Sequence, residues 1–176
     1  DWRSDPKFLL NLVCDNESIL VSDPNWLVAH GPILENTIRT GERFDARKIL
    51  PPWQADETPD PNTWKRVYIT DSPGGILTQA YAPACRITKK LEPQRSWQLA
   101  PGKKIYDFGV NIAGNCQIKV KGPVGGMVKL VFGEKLGPKW DLDNSKIAVY
   151  TMDPDFQHDW YLLNDADEQL WAPTFT

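Results

Sequence analysis

Punctuation constrains this chain more than any other feature. Its apolar runs are short, and each is closed by proline, glycine or an Asp/Asn cluster, with 15 Pro and 12 Gly among 176 residues. Each proline removes a backbone donor and biases its predecessor away from the helical region. No segment sustains a 3.6-residue apolar period, and only Asn164–Leu170 carries enough helix formers for a turn or two. Many short extended runs, separated by turns at spacings of about 8–12 residues, predict an all-β fold of the antiparallel β-sandwich kind.

Local patterns place the strands. Phe8–Cys14 is an apolar run closed by Asp15-Asn16-Glu17-Ser18, and Ile19–Val21 resumes extension, which predicts a hairpin with a tight Asp-Asn turn. Asp23-Pro24-Asn25-Trp26 reads as a turn and Ile33–Arg39 as a strand. Further strands are expected at Lys65–Thr70, Ile76–Gln79, Cys85–Thr88, Tyr106–Gly109, Ala148–Thr151 and Asp159–Leu163. The clearest period lies where Cys116, Ile118 and Val120 alternate with Gln117, Lys119 and Lys121. Val128, Leu130 and Phe132 alternate likewise after Gly122–Gly126, so these two strands are expected to pair as a hairpin. The Pro-rich stretch 51–63 reads as a long loop or linker, and a boundary near Glu92-Pro93 divides the chain into regions 1–92 and 93–176.

Composition removes several functions. Twenty basic against 23 acidic side chains give a net charge of -3, which argues against binding a nucleic-acid backbone. No apolar run approaches the roughly 18 residues of a membrane span, and the acidic start is unlike a secretory signal. Cys14, Cys85 and Cys116 permit one internal bridge at most. With only His30 and His158 as histidines and no CxxC pair, a structural zinc site is not expected. A serine-hydrolase elbow, a phosphate loop and a dinucleotide fingerprint are all absent.

The remaining chemistry is carboxylate and indole. Glycoside hydrolysis needs two carboxyl groups flanking one bond; Asp107 and Glu134 sit better than random for this, although accepting backbone donors at a strand edge is the plainer role. Asp141-Leu142-Asp143-Asn144, with Asp153, Asp155 and Asp159 beyond, offers oxygen ligands for calcium, yet Lys146 stands where an EF-hand loop requires Gly, so a solvated acidic loop is the simpler reading. No cofactor is otherwise implied. Of the eight Trp, Trp53, Trp140 and Trp171 lie in loop-like contexts and are candidate carbohydrate contacts, with packing as the alternative for each.

One group of motifs is more specific. Gly41-Glu42-Arg43-Phe44-Asp45-Ala46-Arg47, preceded by Ser22-Asp23-Pro24-Asn25-Trp26 and Gly31-Pro32-Ile33, resembles the G-E-x-[YF]-D-A-R signature of bacterial α-L-rhamnosidases, glycoside hydrolase family 78. Pro83–Pro93, Asp107-Phe108-Gly109-Val110-Asn111-Ile112-Ala113-Gly114, Val120–Gly126, Glu134-Lys135-Leu136 and Trp171–Thr176 resemble later family motifs, in family order. The resemblance implies the closing strands of one β-sandwich module followed by a concanavalin-like (jelly-roll type) sandwich, both cut. It also implies a partner: the family's (α/α)₆ barrel, which carries the acidic residues for inverting hydrolysis of terminal α-L-rhamnosyl groups. Nothing here matches those acids, so no catalytic residue is carried over, and a region that supports the barrel is expected. A carbohydrate-binding module for rhamnose-containing glycans and a structural spacer are the alternatives. Gly41, Glu42, Asp45, Arg47, Asp107, Gly109, Asn111, Gly114 and Glu134 then serve as structural motif residues. Asp107 would accept backbone N–H groups at a sheet corner, Asn111 would pair with loop backbone, and Arg47 would clamp Asp45.

Overall fold

The computed structural model describes residues 7–51, 58–72, 74–146 and 156–174. Trp53, part of the Pro-rich stretch, the strand expected at 148–151, Asp153, Asp155 and the final Phe175-Thr176 lie outside these. Contacts divide the chain into two units, residues 1–30 with 52–81, and residues 31–51 with 82–176.

The first unit holds two small antiparallel ribbons. β1 (Asn11–Cys14) and β2 (Glu17–Val21) form the expected hairpin, and both turn residues are left-handed, Asp15 at φ 49° and Asn16 at φ 67°. Asp and Asn tolerate that region because their short polar side chains bond locally. β3 (Leu27–Val28) pairs with β6 (Lys65–Arg66), much shorter than the strand expected there. The Asp23 carboxylate accepts the Asn25 N–H at 2.7 Å and closes the predicted turn. Ile76–Gln79 and Cys85–Thr88 form no strand.

The second unit is built on β4 (Ile33–Thr37), β5 (Gly41–Asp45), β10 (Met127–Val131) and β11 (His158–Leu162), in the order β10-β11-β5-β4. β5 and β11 run parallel, and the other two pairings are antiparallel. A 3₁₀ turn, Ala46–Lys48, follows β5. β9 (Ile118–Val120) pairs with β12 (Gln169–Trp171), and β7 (Arg95–Ala100) with β8 (Lys103–Asp107). The core lies between the β9–β12 ribbon and the four-stranded sheet. Ala46, Tyr161, Leu163 and Trp171 are buried, with Phe44, Ile118, Val120, Val128 and Leu130 packed against them. Tyr161 stacks on Trp171 with centroids 5.0 Å apart, and Phe44 lies 5.7 Å from Tyr161. This is the all-β, sandwich-type architecture expected from the turn spacing.

The opposite face of the sheet is polar and in register. Lys129, Trp160 and Arg43 are neighbours across β10, β11 and β5. Both cations lie over the indole, at 4.2 Å and 5.5 Å, and Arg43 also bridges to Glu35 on β4 at 3.3 Å. Cross-strand pairs of this kind stabilise a sheet much as i,i+4 pairs do a helix.

One local expectation is corrected. The hairpin between the Cys116–Val120 and Val128–Phe132 strands does not form, because β9 and β10 enter different sheets. The connecting loop is captured by β11's exit: the Gly125 N–H donates to Leu163 O at 2.8 Å and the Leu163 N–H to Gly126 O at 2.9 Å. Asn164–Leu170, with its helix formers for a turn or two, forms no helix: residues 164–168 are a loop wound around Gln169, which opens β12. The Gln169 amide oxygen accepts from Tyr161 Oη at 3.0 Å and from the Asn164 N–H at 3.1 Å, and its nitrogen donates to Ala166 O at 3.2 Å. One buried side chain thus supplies the partners a helical turn would have supplied.

Candidate functional site

The strongest sequence signature folds into a buried polar hub. Gly41 opens β5 at φ 86°, and a Cβ there would lie 2.6 Å from Asp159 Oδ1 and still closer to the His158 carbonyl oxygen. The glycine is what lets β5 come up against β11. Glu42 is fully buried. Its N–H donates to Asp159 Oδ1 at 2.9 Å, and its Oε2 accepts from Asn36 Nδ2 and the Thr174 N–H, both at 3.0 Å. Among the described residues its Oε1 has no hydrogen-bond donor.

Asp45 ends β5 and caps the 3₁₀ turn. Its carboxylate accepts the Arg47 backbone N–H at 3.1 Å and the Arg47 guanidinium through Nε and Nη2, both at 2.8 Å. Those side-chain hydrogen bonds hold the Asp45 carboxyl below its ordinary range, with burial working the other way. A carboxyl depressed in the folded state stabilises it above the unfolded pKa of about 3.9 and loses that contribution as pH falls through the folded value. Asp45→Asn is therefore expected to cost about 1–2 kcal/mol at pH 7. In urea unfolding, the gap between variant and parent should close as pH drops below about 3.9. A constant gap would place the effect in packing.

Asp107 organises a second corner. Its Oδ1 accepts the Gly109 N–H at 2.7 Å, with Gly109 at φ 73°, and its Oδ2 accepts Arg95 Nε at 2.7 Å. The Gly109 bond first, then Arg95, pulls the Asp107 carboxyl down. Asn111 and Gly114 follow in an exposed loop. No hydrogen bond from the Asn111 side chain occurs among the described residues, and a Cβ on Gly114 would meet nothing within 4 Å. Glu134 is exposed and lines a groove of ≈ 310 Å³ with Lys135, Asp143 and Lys146.

Of the three candidate carbohydrate contacts, the two within the described residues, Trp140 and Trp171, part company. Trp171 is a core residue, stacked on Tyr161 and 5.9 Å from Phe44, so its ring is not available to a sugar. Its place on β12, opposite Ile118, turns it inward. Trp140 is 56% exposed, at the end of a tight turn where its own N–H donates to Gly137 O at 3.0 Å and the Gly137 N–H to Asp141 O at 2.8 Å. Its backbone is left-handed at φ 59°, an uncommon state for a bulky residue.

Among the described residues, the calcium candidates do not converge. Asp141 pairs with Lys103 at 3.0 Å, Asp143 accepts from the Ser145 hydroxyl at 2.6 Å, and Asp159 is on β11 in the hub. No group of three or more His, Cys, Asp or Glu among the described residues is placed to hold a metal. Sequence reasoning missed the partners Asn36, His158 and Thr174 of the hub, and Arg95 and Trp97 of the second corner. Thr174 had a signal only as part of the Trp171–Thr176 motif, and Asp159 only as an acidic residue at the start of a strand.

Comparison with known proteins gives this geometry a context. Residues 1–89 match the α-L-rhamnosidase N-terminal domain, and residues 97–176 match the bacterial α-L-rhamnosidase concanavalin-like domain. The α-L-rhamnosidase of Streptomyces avermitilis is 31% identical over 161 residues, covering 89% of this chain and 15% of that protein. Among solved structures, that of an α-L-rhamnosidase from Dictyoglumus thermophilum superposes with a TM-score of 0.78 at 29% identity, covering 92% of this chain and 18% of that one. A structure of the S. avermitilis enzyme complexed with L-rhamnose gives 0.75 at 28% identity, covering 91% and 15%. The chain spans 15% to 19% of the length of the curated relatives it matches. The signature strand β5 falls within residues 1–89, yet it pairs with β11 from residues 97–176.

Proposed function

The chain belongs to the bacterial α-L-rhamnosidase family, and from that premise we propose that it is a non-catalytic β-sandwich region of a longer glycosidase, carrying and positioning a catalytic domain. The reaction of that longer protein would be inverting hydrolysis of terminal α-L-rhamnosyl groups, performed on an (α/α)₆ barrel.

Uncovered apolar surface carries this reading. Tyr68, Ile69, Ile76, Leu77, Tyr81 and Ile87 are each at least 78% exposed, within a stretch whose described residues form no strand. Large apolar side chains left in solvent mark candidate contact faces, and the occupant proposed for those between Tyr68 and Tyr81 is the remainder of the longer protein. The carboxylates add support. An inverting enzyme needs one carboxyl kept protonated near neutrality and a second one ionised. Among the described residues, every carboxylate with a resolved shift (Asp45, Asp60, Asp107, Asp141 and Asp143) moves downward. That is the direction of a permanent anion, opposite to that of a general acid. The test is hydrolysis of an aryl α-L-rhamnoside by this chain alone, for which no release above the buffer rate is expected.

A further inference from the structure

We infer that Trp140 is a stacking platform for a neutral pyranose ring, built and held by Trp97, Arg95 and the ion pairs around them. Three independent features of the site support this. The residue is held in place: Trp97 Nε1 donates to the Trp140 backbone carbonyl at 3.2 Å, the two indoles meet edge to face at 6.0 Å, and the Arg95 guanidinium lies over the Trp140 ring, 5.7 Å from its centre. A preorganised aromatic surface loses little side-chain freedom when a ligand arrives.

The rim is polar with both signs. Arg95 is bound to Asp107 at 2.7 Å and Lys103 to Asp141 at 3.0 Å. Donors and acceptors beside an exposed indole are what a sugar requires, with its C–H face on the ring and its hydroxyls on the charged groups. A protein surface docked on the same ring would have to desolvate both ion pairs, and charged residues are depleted from the centres of such interfaces.

Finally, the backbone argues that the side chain is kept for itself. At φ 59° the position favours glycine. A turn selected only to close the chain would be more relaxed without the indole. Backbone strain held by a surrounding structure marks positions where the side chain is wanted.

The same geometry supplies a clean variant. Trp140→Gly removes the ring and relaxes the turn, and Trp140→Tyr keeps an aromatic face. Calorimetric titration of the chain with methyl α-L-rhamnoside and with cellotetraose is expected to show binding to at least one of them, with Kd on the order of 1 mM. Trp140→Gly should weaken that binding by about 10-fold or more, Trp140→Tyr should retain most of it, and neither should lower the thermal unfolding midpoint appreciably. Absence of binding to both ligands, binding unchanged in Trp140→Gly, or a large loss of stability in that variant would each overturn the platform.

The choice of a rhamnosyl ligand rests on the family reading; the platform does not. Binding of cellotetraose alone would support the platform and count against rhamnose as its ligand. Turnover by the chain would defeat the non-catalytic reading and leave the platform standing.

Discussion

Gly41→Ala is expected to unfold this chain more readily than any other exchange of glycine for alanine in it. Two costs combine. A side chain at φ 86° is strained by roughly 1–3 kcal/mol. The new Cβ would also press on the His158 carbonyl and on Asp159 Oδ1, forcing β5 and β11 apart at about 1–3 kcal/mol more. The sum, roughly 2–6 kcal/mol, corresponds to a fall in thermal midpoint of about 10 °C for a chain of this size. Gly114→Ala is the control, since a Cβ there meets nothing within 4 Å, and its midpoint should not move. Thermal unfolding followed by tryptophan fluorescence compares the two. Equal midpoints would mean that the close approach of β5 to β11 contributes nothing to stability.

The second large effect concerns where the folding unit ends. The division expected at 92/93 puts Gly31–Pro51 in the first region, whereas the contacts of that segment are with residues 82–176. A chain of residues 82–176 alone loses β4, β5 and the 3₁₀ turn. The core then lacks Phe44 and Ala46, the β11 edge is opened, and the Asp159 carboxylate loses the Glu42 N–H. Removing a core Phe alone costs about 3–5 kcal/mol, against a total stability of roughly 5–15 kcal/mol for a domain. The shortened chain is therefore expected to show no cooperative urea transition and weak near-ultraviolet dichroism, while residues 31–51 added as a peptide should restore part of both. A sharp two-state transition without the peptide would show that the concanavalin-like domain folds without β5.

What the sequence revealed follows from how local each cause is. The β1–β2 hairpin was legible because Asp15 and Asn16 supply the left-handed turn themselves. The period-2 burial of Ile118, Val120, Val128 and Leu130 was legible for the same reason, since alternation depends on neighbours two residues away. The partners of those strands were not, because the loop between them is claimed by Leu163, far along the chain. Parallel pairing of β5 with β11 likewise joins residues more than a hundred positions apart and leaves no local trace. The helix formers at 164–170 make no helix, because propensity carries no knowledge that Gln169 is buried and bonded to Tyr161. Among the indoles, Trp140 and Trp171 looked alike as sequence, and only the sheet face occupied by β12 separates a core ring from an exposed one. The motif residues fared unevenly in the same way. Asp45 with Arg47 and Asp107 with Gly109 are pairs two apart and could be argued in advance. Glu42's partners, Asn36, Asp159 and Thr174, come from three separate segments.

We propose that this chain supports glycoside chemistry without performing it. The most direct measurement is release of the aryl group from 4-nitrophenyl α-L-rhamnoside by the purified chain, run at high protein concentration across acidic to neutral pH. The expected rate is indistinguishable from buffer at every pH, and unchanged in Asp107→Ala and Glu134→Ala. Release that rises with protein concentration and falls in either variant would contradict it, and would place the catalytic carboxylates within these 176 residues.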